Sequence, residues 1–210
     1  MAVVSPMLND HSMNAVVRPL QAVDFEKLIR HYGHFEPKES FCGLPPSTWR
    51  ETEEWLRELN KHQHPQFIVE IGERIVGHAF LELTVDKREA ELRLFILQDF
   101  RELRLGRTLL LCVLHHGCKQ LELDRVRVRI PNTDASLREA LEKVGFRAVD
   151  LNQVFDEQTE MVRPSHCAQC RGERCVIFDK KMPCIMPLAV RARPARNWDW
   201  RHALAKGRRA

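Results

Sequence analysis

Three arginines at every third position, Arg101, Arg104 and Arg107, stand just before a long apolar helix candidate. A strand candidate precedes them, and a chain that passes from a strand through a short loop into a helix leaves unpaired N–H groups at the helix start. The helix dipole adds partial positive charge there, so the arrangement favours an anion, usually phosphate, and Gly106 permits close backbone approach. Cations at a helix N-terminus are unfavourable unless a polyanion compensates them. The alternative is an ordinary helix with a basic first turn.

Four of the seven cysteines cluster near the C-terminus, in the spacing Cys-x2-Cys-x4-Cys-x8-Cys. Zinc prefers four tetrahedral nitrogen or sulfur ligands and often takes a Cys-x2-Cys pair. In a cytoplasmic chain such a cluster indicates metal more than disulfides. The sequence therefore predicts a structural zinc site, with free or redox-active thiols as the alternative. The predicted ligands are Cys167, Cys170, Cys175 and Cys184.

The last 20 residues, 191–210, form a basic tail with seven Lys or Arg and one Asp, a net charge of +6. The whole chain carries +4, so residues 1–190 sum to −2 and any attraction to nucleic acid is limited to the tail. Trp198 and Trp200 lie among the tail arginines and could stack on single-stranded nucleic acid. We favour their docking on the body or on a second subunit of a homodimer, because tryptophan is enriched at interfaces.

The chain of 210 residues is long enough for one domain and an appendage, and its 44% hydrophobic content can supply a core. No uninterrupted apolar segment reaches the roughly 20 residues that a membrane-spanning helix needs. The N-terminus lacks the positive region followed by an apolar core that marks a secretory signal. We therefore expect a cytoplasmic protein without membrane contact.

Hydrophobic periodicity predicts elements in the order β-α-α-β-β-β-α-β-α-β, a mixed α/β layer fold. A Gly72-Glu73 turn joins a hairpin, and the helix that starts near Gly106 makes a βαβ crossover. Ser47 is expected to cap the second helix. The predicted strands cover 15–20, 66–71, 74–85, 89–97, 125–130 and 146–157, and the predicted helices cover 22–32, 47–62, 106–121 and 135–146.

This order of elements, the loop from Arg101 to Gly106 and the segment from Asn132 to Phe146 together resemble the GNAT family of acyl-CoA-dependent N-acyltransferases, over residues 15–157. The resemblance implies a mostly antiparallel central sheet flanked by helices, and acetyl-CoA as co-substrate. It further implies that loop amides bind the cofactor diphosphate, that Asn132 faces the pantetheine arm, and that a strand amide among Phe95, Ile96 and Leu97 holds the thioester oxygen. The implied cofactor-binding loop residues are Arg101, Leu103, Arg104, Leu105, Gly106, Arg107 and Thr108.

Two positions depart from the family pattern. Arg104 replaces the first glycine of the diphosphate loop, so that a side chain stands where the family has bare backbone. Leu141 lies near the place where many members carry a tyrosine that protonates the departing thiolate, and the only tyrosine of the chain is Tyr32. These departures put cofactor affinity and the identity of the general acid in question.

Acyl transfer requires a neutral amine, whereas a free alkyl amine is almost wholly protonated at neutral pH. A carboxylate can take the proton directly or through water. The resemblance places this base on the central strands, where the candidates are Glu91 and Glu82. The alternative is that either glutamate lies on the solvent-exposed face of its strand and has no catalytic role. His78 is a further candidate, although a strand histidine is more often structural.

The sequence therefore predicts three parts: a flexible N-terminus over 1–14, a GNAT-like domain over 15–160, and a cysteine-rich, basic extension over 161–210. The predicted activity is transfer of an acetyl group from acetyl-CoA to a primary amine of a protein or small molecule, by direct attack. The alternative is a catalytically weak GNAT-like regulatory or binding module, whose zinc-binding, basic tail contacts a protein or nucleic acid.

Overall fold

The computed structural model describes residues 15–36, 44–131, 134–149 and 175–182. They form one seven-stranded sheet with helices on both faces, which confirms the predicted mixed α/β layer fold. Two short 3₁₀ helices, Ala22–Asp24 and Gln98–Leu103, stand before α1 and α3. The strands are β1 (Ala15–Pro19), β2 (Gln66–Ile71), β3 (Arg74–Leu83), β4 (Glu89–Ile96), β5 (Arg125–Pro131), β6 (Arg147–Val149) and β7 (Cys175–Lys181). The helices are α1 (Phe25–Gly33), α2 (Trp49–Lys61), α3 (Leu105–Lys119) and α4 (Ala135–Lys143).

The strands lie in the order β1-β2-β3-β4-β5-β7-β6, and only the β4–β5 pair is parallel. Strand β7 was not predicted from the sequence. It enters the sheet between β5 and β6, where Phe178 is fully buried. Part of the segment assigned to the C-terminal extension is therefore a strand of the main sheet.

Helices α3 and α4 cover one face of the sheet with an aliphatic core. Alternate residues of β4 and β5 point into it, as the strict alternation of RVRVRI predicted. The apolar spacing of α3 is likewise confirmed, since Leu105, Leu109 and Val113 are buried. Leu141 of α4 also belongs to this core.

Helices α1 and α2 cover the other face over β2, β3 and the end of β4, and here the core is rich in aromatic rings. Tyr32, Phe80 and Phe95 are buried in it; the Tyr32 and Phe95 rings meet edge-to-face, and the Phe80 ring is tilted by 39° to that of Phe95. Two large apolar residues at the starts of the helical segments are exposed: Val23 is 80% exposed and Trp49 is 56% exposed. Both lie in the first turn of a helical segment.

The prediction that Ser47 caps α2 is wrong by one residue. Thr48 has the extended backbone of an N-cap, and its hydroxyl oxygen accepts a hydrogen bond from the Glu51 N–H at 3.3 Å. The Thr48 hydroxyl also donates to the Glu51 carboxylate at 2.7 Å. Thr and Glu thus stand three residues apart, the spacing of a capping box, which the Ser47 assignment overlooked.

None of the helices in the described ranges is long and apolar enough to cross a membrane.

Candidate functional site

The sheet splits between β4 and β5. The two strands pair only over Glu89–Leu92 and Arg125–Val128. Beyond this point β4 continues to Ile96, while the remainder of β5 pairs with β7 on its other side. Within the described residues, the edge of β4 that faces β5 therefore has no strand partner after Leu92, and a V-shaped opening results.

Two backbone amides point into this split. The Leu97 N–H donates to the Val76 carbonyl of β3 at 3.0 Å. Because consecutive N–H groups of a strand point to opposite edges, Ile96 and Leu94 direct theirs toward the split. Of the predicted oxyanion-binding amides, Leu97 is thus engaged with β3, whereas Ile96 faces the open edge. Leu94 was not predicted, although counting back along the strand from Leu97 finds it.

The N-terminus of α3 lies at the open end of the split. A Cβ atom placed on Gly106 would be 3.4 Å from Ile96 Cγ1 and 3.8 Å from Leu94 Cδ2. The first intrahelical bond runs from the Thr108 N–H to the Arg104 carbonyl at 3.2 Å, so the three preceding amides have no intrahelical acceptor. Among the described residues no side chain caps this helix end, and its first turn carries no acidic residue. Within the part of the chain that the structure describes, the helix amides without an acceptor and the strand edge without a partner therefore adjoin one another.

Arg104 occupies the left-handed region of the backbone, with φ 58° and ψ 10°. A glycine adopts this conformation without steric cost, while for other L-residues it costs about 1–2 kcal/mol. Arg104 thus holds a backbone conformation that favours glycine, even though an arginine stands there. The Arg104 and Arg107 side chains are exposed, and neither forms an ion pair with another described residue.

Arg101, the third predicted arginine, turns toward the protein. Its Nε donates to the Ile96 carbonyl at 3.3 Å and its Nη2 donates to the Glu36 carbonyl at 2.5 Å. The guanidinium also lies 5.8 Å from the centre of the Phe35 ring. The arginines of the loop therefore divide into two that face solvent and one that joins β4 to the end of α1.

The other predicted loop residues have packing roles in their side chains. Leu105 is buried in the core under α3, and Leu103 packs against the same core. Phe95 is buried in the aromatic core on the opposite face. Any cofactor contact of these residues would use their backbone. The Thr108 hydroxyl donates to the Arg104 carbonyl at 3.4 Å.

The predicted bases Glu82 and Glu91 are direct cross-strand neighbours on β3 and β4, and both contact Arg93. Arg93 Nε lies 3.4 Å from Glu82 Oε2, and Arg93 Nη2 lies 3.5 Å from Glu91 Oε1. Arg129 of β5 reaches Glu91 Oε2 at 3.6 Å, so Glu91 stands where β4 and β5 begin to separate. The Glu91 side chain is 13% exposed and that of Glu82 is 43% exposed. Arg93 and Arg129 were not predicted from the sequence as partners of these glutamates, although the alternation in RVRVRI predicted a charged face on β5.

His78 lies away from the split and is fully buried. Its Nδ1 is 2.6 Å from the Tyr32 hydroxyl and its Nε2 is 3.1 Å from the Gln66 side-chain oxygen. Gln66 Oε1 only accepts, which places a proton on His78 Nε2 and makes the Tyr32 hydroxyl a donor to Nδ1. Burial lowers the pKa of His78 well below its usual value and raises the pKa of Tyr32 well above its own. These residues join α1 to the sheet and do not face the split, and Leu141 lies in the aliphatic core.

Several predicted residues fall outside the described ranges: Asn132, Cys167, Cys170, Cys184, Trp198 and Trp200. Cys175 begins β7, but its side chain is not among those described. The described residues alone contain no group of histidine, cysteine or acidic side chains that could hold a metal ion. The zinc site stays a prediction.

Comparisons with known proteins agree with this geometry. The structure of the ribosomal-protein-alanine N-acetyltransferase of Brucella melitensis superposes with a TM-score of 0.59 at 16% identity, covering 80% of this chain and 99% of that one. The structure of yncA from Salmonella typhimurium, solved with its cofactor acetyl-CoA, superposes with a TM-score of 0.57 at 12% identity, covering 80% of this chain and 93% of that one. A chimera of the Vibrio cholerae spermidine N-acetyltransferase SpeG superposes with a TM-score of 0.55 at 16% identity, covering 80% of this chain and 95% of that one.

A search of curated protein sequences gives no match. The family model for the acetyltransferase (GNAT) domain, in contrast, matches residues 14–147, from the start of β1 to the start of β6. This match covers well over half of the sequence, and the structural neighbours share its fold. The chain belongs to the GNAT family of acetyltransferases.

Proposed function

We propose that the protein is an N-acetyltransferase that takes the acetyl group from acetyl-CoA and transfers it to a primary amine of a protein or a small molecule. One observation carries the proposal: the amides of the α3 N-terminus and the adjoining edge of β4 both lack partners among the described residues. The first fits a diphosphate and the second fits an extended arm with amide groups, and these are the two consecutive parts of coenzyme A. The bound cofactor supplies an acetyl thioester that an amine can attack.

The residues fit the two parts in sequence. The amides of Leu105, Gly106 and Arg107 would bind the diphosphate, with the exposed guanidinium groups of Arg104 and Arg107 beside it. The pantetheine arm would run along β4 from Ile96 toward Leu94. Because Leu94 is farther from the helix N-terminus and nearer to the closed end of the split, its N–H is our candidate donor to the thioester oxygen.

We assign Glu91 as the group that takes the proton of the acceptor amine, directly or through water. Its Oε1 atom is buried and accepts no hydrogen bond from the described residues, although Arg93 Nη2 lies 3.5 Å from it as an ion-pair partner. Its contact with Arg129 of β5 places it at the closed end of the split, three residues along β4 from Leu94. Glu82 shares Arg93 with Glu91 and lies one strand farther away, so we assign it a supporting role.

The acceptor class is the finer part of the proposal. Two structural neighbours carry names that specify amine acceptors, the alanine of a ribosomal protein in one and spermidine in the other. Each of these acceptors carries at least one primary amino group. The first panel of acceptors should therefore contain peptides with free N-termini, lysine peptides and polyamines.

The proposal is tested by isothermal titration with acetyl-CoA, followed by an assay of thiol release with this panel. We expect saturable binding, and thiol release that depends on one of the amines. The Glu91→Gln variant should retain acetyl-CoA binding and lose most of the turnover, while Glu82→Gln should lose less. Absence of binding at millimolar acetyl-CoA would refute the cofactor site, and binding without turnover for any amine would support the regulatory-module alternative.

A further inference from the structure

We propose that Arg101 is a positioning residue, which fixes the end of β4 for the pantetheine arm and does not bind the diphosphate. The inference rests on the proposed function, since it concerns the same cofactor site. It departs from the expectation that all three loop arginines serve the phosphate.

The contacts of Arg101 all lead to the protein. Nε donates to the Ile96 carbonyl at 3.3 Å, Nη2 donates to the Glu36 carbonyl at 2.5 Å, and the guanidinium lies 5.8 Å from the centre of the Phe35 ring. A guanidinium is planar, with its donors in a fixed fork, so two such hydrogen bonds and a ring contact define its orientation. Turning toward the α3 N-terminus would break these contacts together.

The Ile96 peptide group is held from both sides. Its carbonyl accepts from Arg101, and the N–H of the same peptide group, that of Leu97, donates to the Val76 carbonyl at 3.0 Å. This peptide ends β4 immediately after the Ile96 N–H that points into the split. The orientation of that N–H therefore depends on a peptide that Arg101 holds from the side that lacks a strand.

The same side chain connects the cofactor site to α1. Phe35 follows the C-terminus of α1 and packs edge-to-face on Phe95 of β4, with ring centres 5.5 Å apart. Arg101 crosses from the β4–α3 connection to the Phe35 ring and to the adjacent Glu36 carbonyl. It thus fixes the spacing between β4 and the chain that leaves α1. Arg104 and Arg107 have no such contacts among the described residues and stay available to the diphosphate.

The test compares two ligands by isothermal titration: coenzyme A, and 3′-phosphoadenosine 5′-diphosphate, which has the nucleotide but lacks the arm. For Arg101→Ala we expect the affinity for coenzyme A to fall about fivefold, the equivalent of one hydrogen bond, and the affinity for the nucleotide to change less than twofold. Arg107→Ala should weaken both ligands by the same factor. Arg101→Lys should recover part of the coenzyme A affinity, because an ammonium can satisfy one carbonyl but not the fork.

The matched control is Arg57→Ala, which also removes an exposed arginine that lies over a ring, here Phe25 at 5.4 Å, but on α2 away from the split. It should bind both ligands like the wild type. If Arg101→Ala weakens both ligands equally, Arg101 is a phosphate ligand and the inference is wrong; it is equally wrong if neither affinity changes. If Arg101→Ala does not fold, the same comparison with Arg101→Lys decides. Failure of the wild type to bind either ligand would instead refute the proposed function.

Discussion

At the scale of single residues, the structure shows how an arginine can stand in a glycine position. Arg104 takes the left-handed conformation with φ 58°, which glycine adopts without strain and which carries a steric cost in arginine. The sequence shows the departure from the family pattern but not its resolution. The backbone angle of a loop residue depends on the elements at both ends, here the 3₁₀ helix after β4 and helix α3.

We predict that Arg104→Gly stabilises the protein. Glycine removes the steric cost of the left-handed conformation, about 1–2 kcal/mol. It also gives the unfolded chain more conformational freedom, which costs about 0.5–1 kcal/mol on folding. The net gain in the free energy of unfolding is roughly 0.5–1 kcal/mol. Urea unfolding measures this difference. Arg104→Ala is the control, because it removes the same charge but retains a Cβ atom, so it should gain only about 0.3 kcal/mol from the loss of an exposed cation at a helix N-terminus, less than Arg104→Gly gains. An equal gain in both variants would show that charge, not backbone conformation, sets the cost.

The buried histidines make the protein sensitive to acid. Burial lowers the pKa of His31 from 6.5 to about 4 in the folded state. The unfolded chain therefore binds a proton first as the pH falls below 6.5, and stability is lost between pH 6.5 and pH 4. At pH 5 this amounts to about 2 kcal/mol for His31. We expect Tm to fall from pH 7.5 to pH 5, with a smaller fall for His31→Gln; an unchanged slope in that variant would contradict the assignment.

At the scale of elements, the α2 cap gives a test that separates two adjacent residues. Thr48→Ala should lower the free energy of unfolding by about 1 kcal/mol, because the Glu51 N–H loses its acceptor. Ser47→Ala should change it by no more than a few tenths. Denaturant unfolding of the two variants decides, and the reverse ranking would restore Ser47 as the cap.

The packing of β3 against the end of β4 is tested at Gly77. A Cβ atom there would be 2.5 Å from Ile96 Cδ1 and 3.1 Å from Val69 Cγ2, so we expect Gly77→Ala to cost about 1–3 kcal/mol through overpacking. Ile96→Val removes the Cδ1 atom, and the double variant should recover most of the loss. A double variant no more stable than Gly77→Ala alone would place the conflict elsewhere.

The elements with clear periodicity could be predicted from the sequence, and the contacts between distant segments could not. The apolar spacing along α3 and the alternation in RVRVRI each depend only on neighbouring residues in the chain. They therefore predict which side of the element faces the core, and Leu109 and Val128 are buried as expected. The seventh strand, within a segment interpreted only through its cysteines, required knowledge of which strand it pairs with. The same holds for Arg101, whose partners Ile96 and Glu36 include one that is 65 residues away along the chain.

At the scale of the whole molecule, the function depends on where the sheet opens. Strand β5 leaves β4 after Val128 and continues beside β7, so the sheet is continuous on both sides of the split. Helix α3 makes the crossover from β4 to β5. Its N-terminus follows the end of β4 and therefore lies at the same opening. Neither the opening nor the position of the helix N-terminus is marked by a sequence motif. Both depend on the number of residues over which the parallel strands β4 and β5 remain paired.

The measurement that tests this account most directly is a titration of the ¹⁵N-labelled protein with coenzyme A, followed by amide NMR. We predict that the signals of Leu94, Ile96, Gly106 and Arg107 shift together with one dissociation constant, while Leu97, bound to Val76, shifts least among the residues at the end of β4. Shifts confined to the basic tail over 191–210, or none at any amide of β4 and α3, would contradict the assignment of the cofactor site.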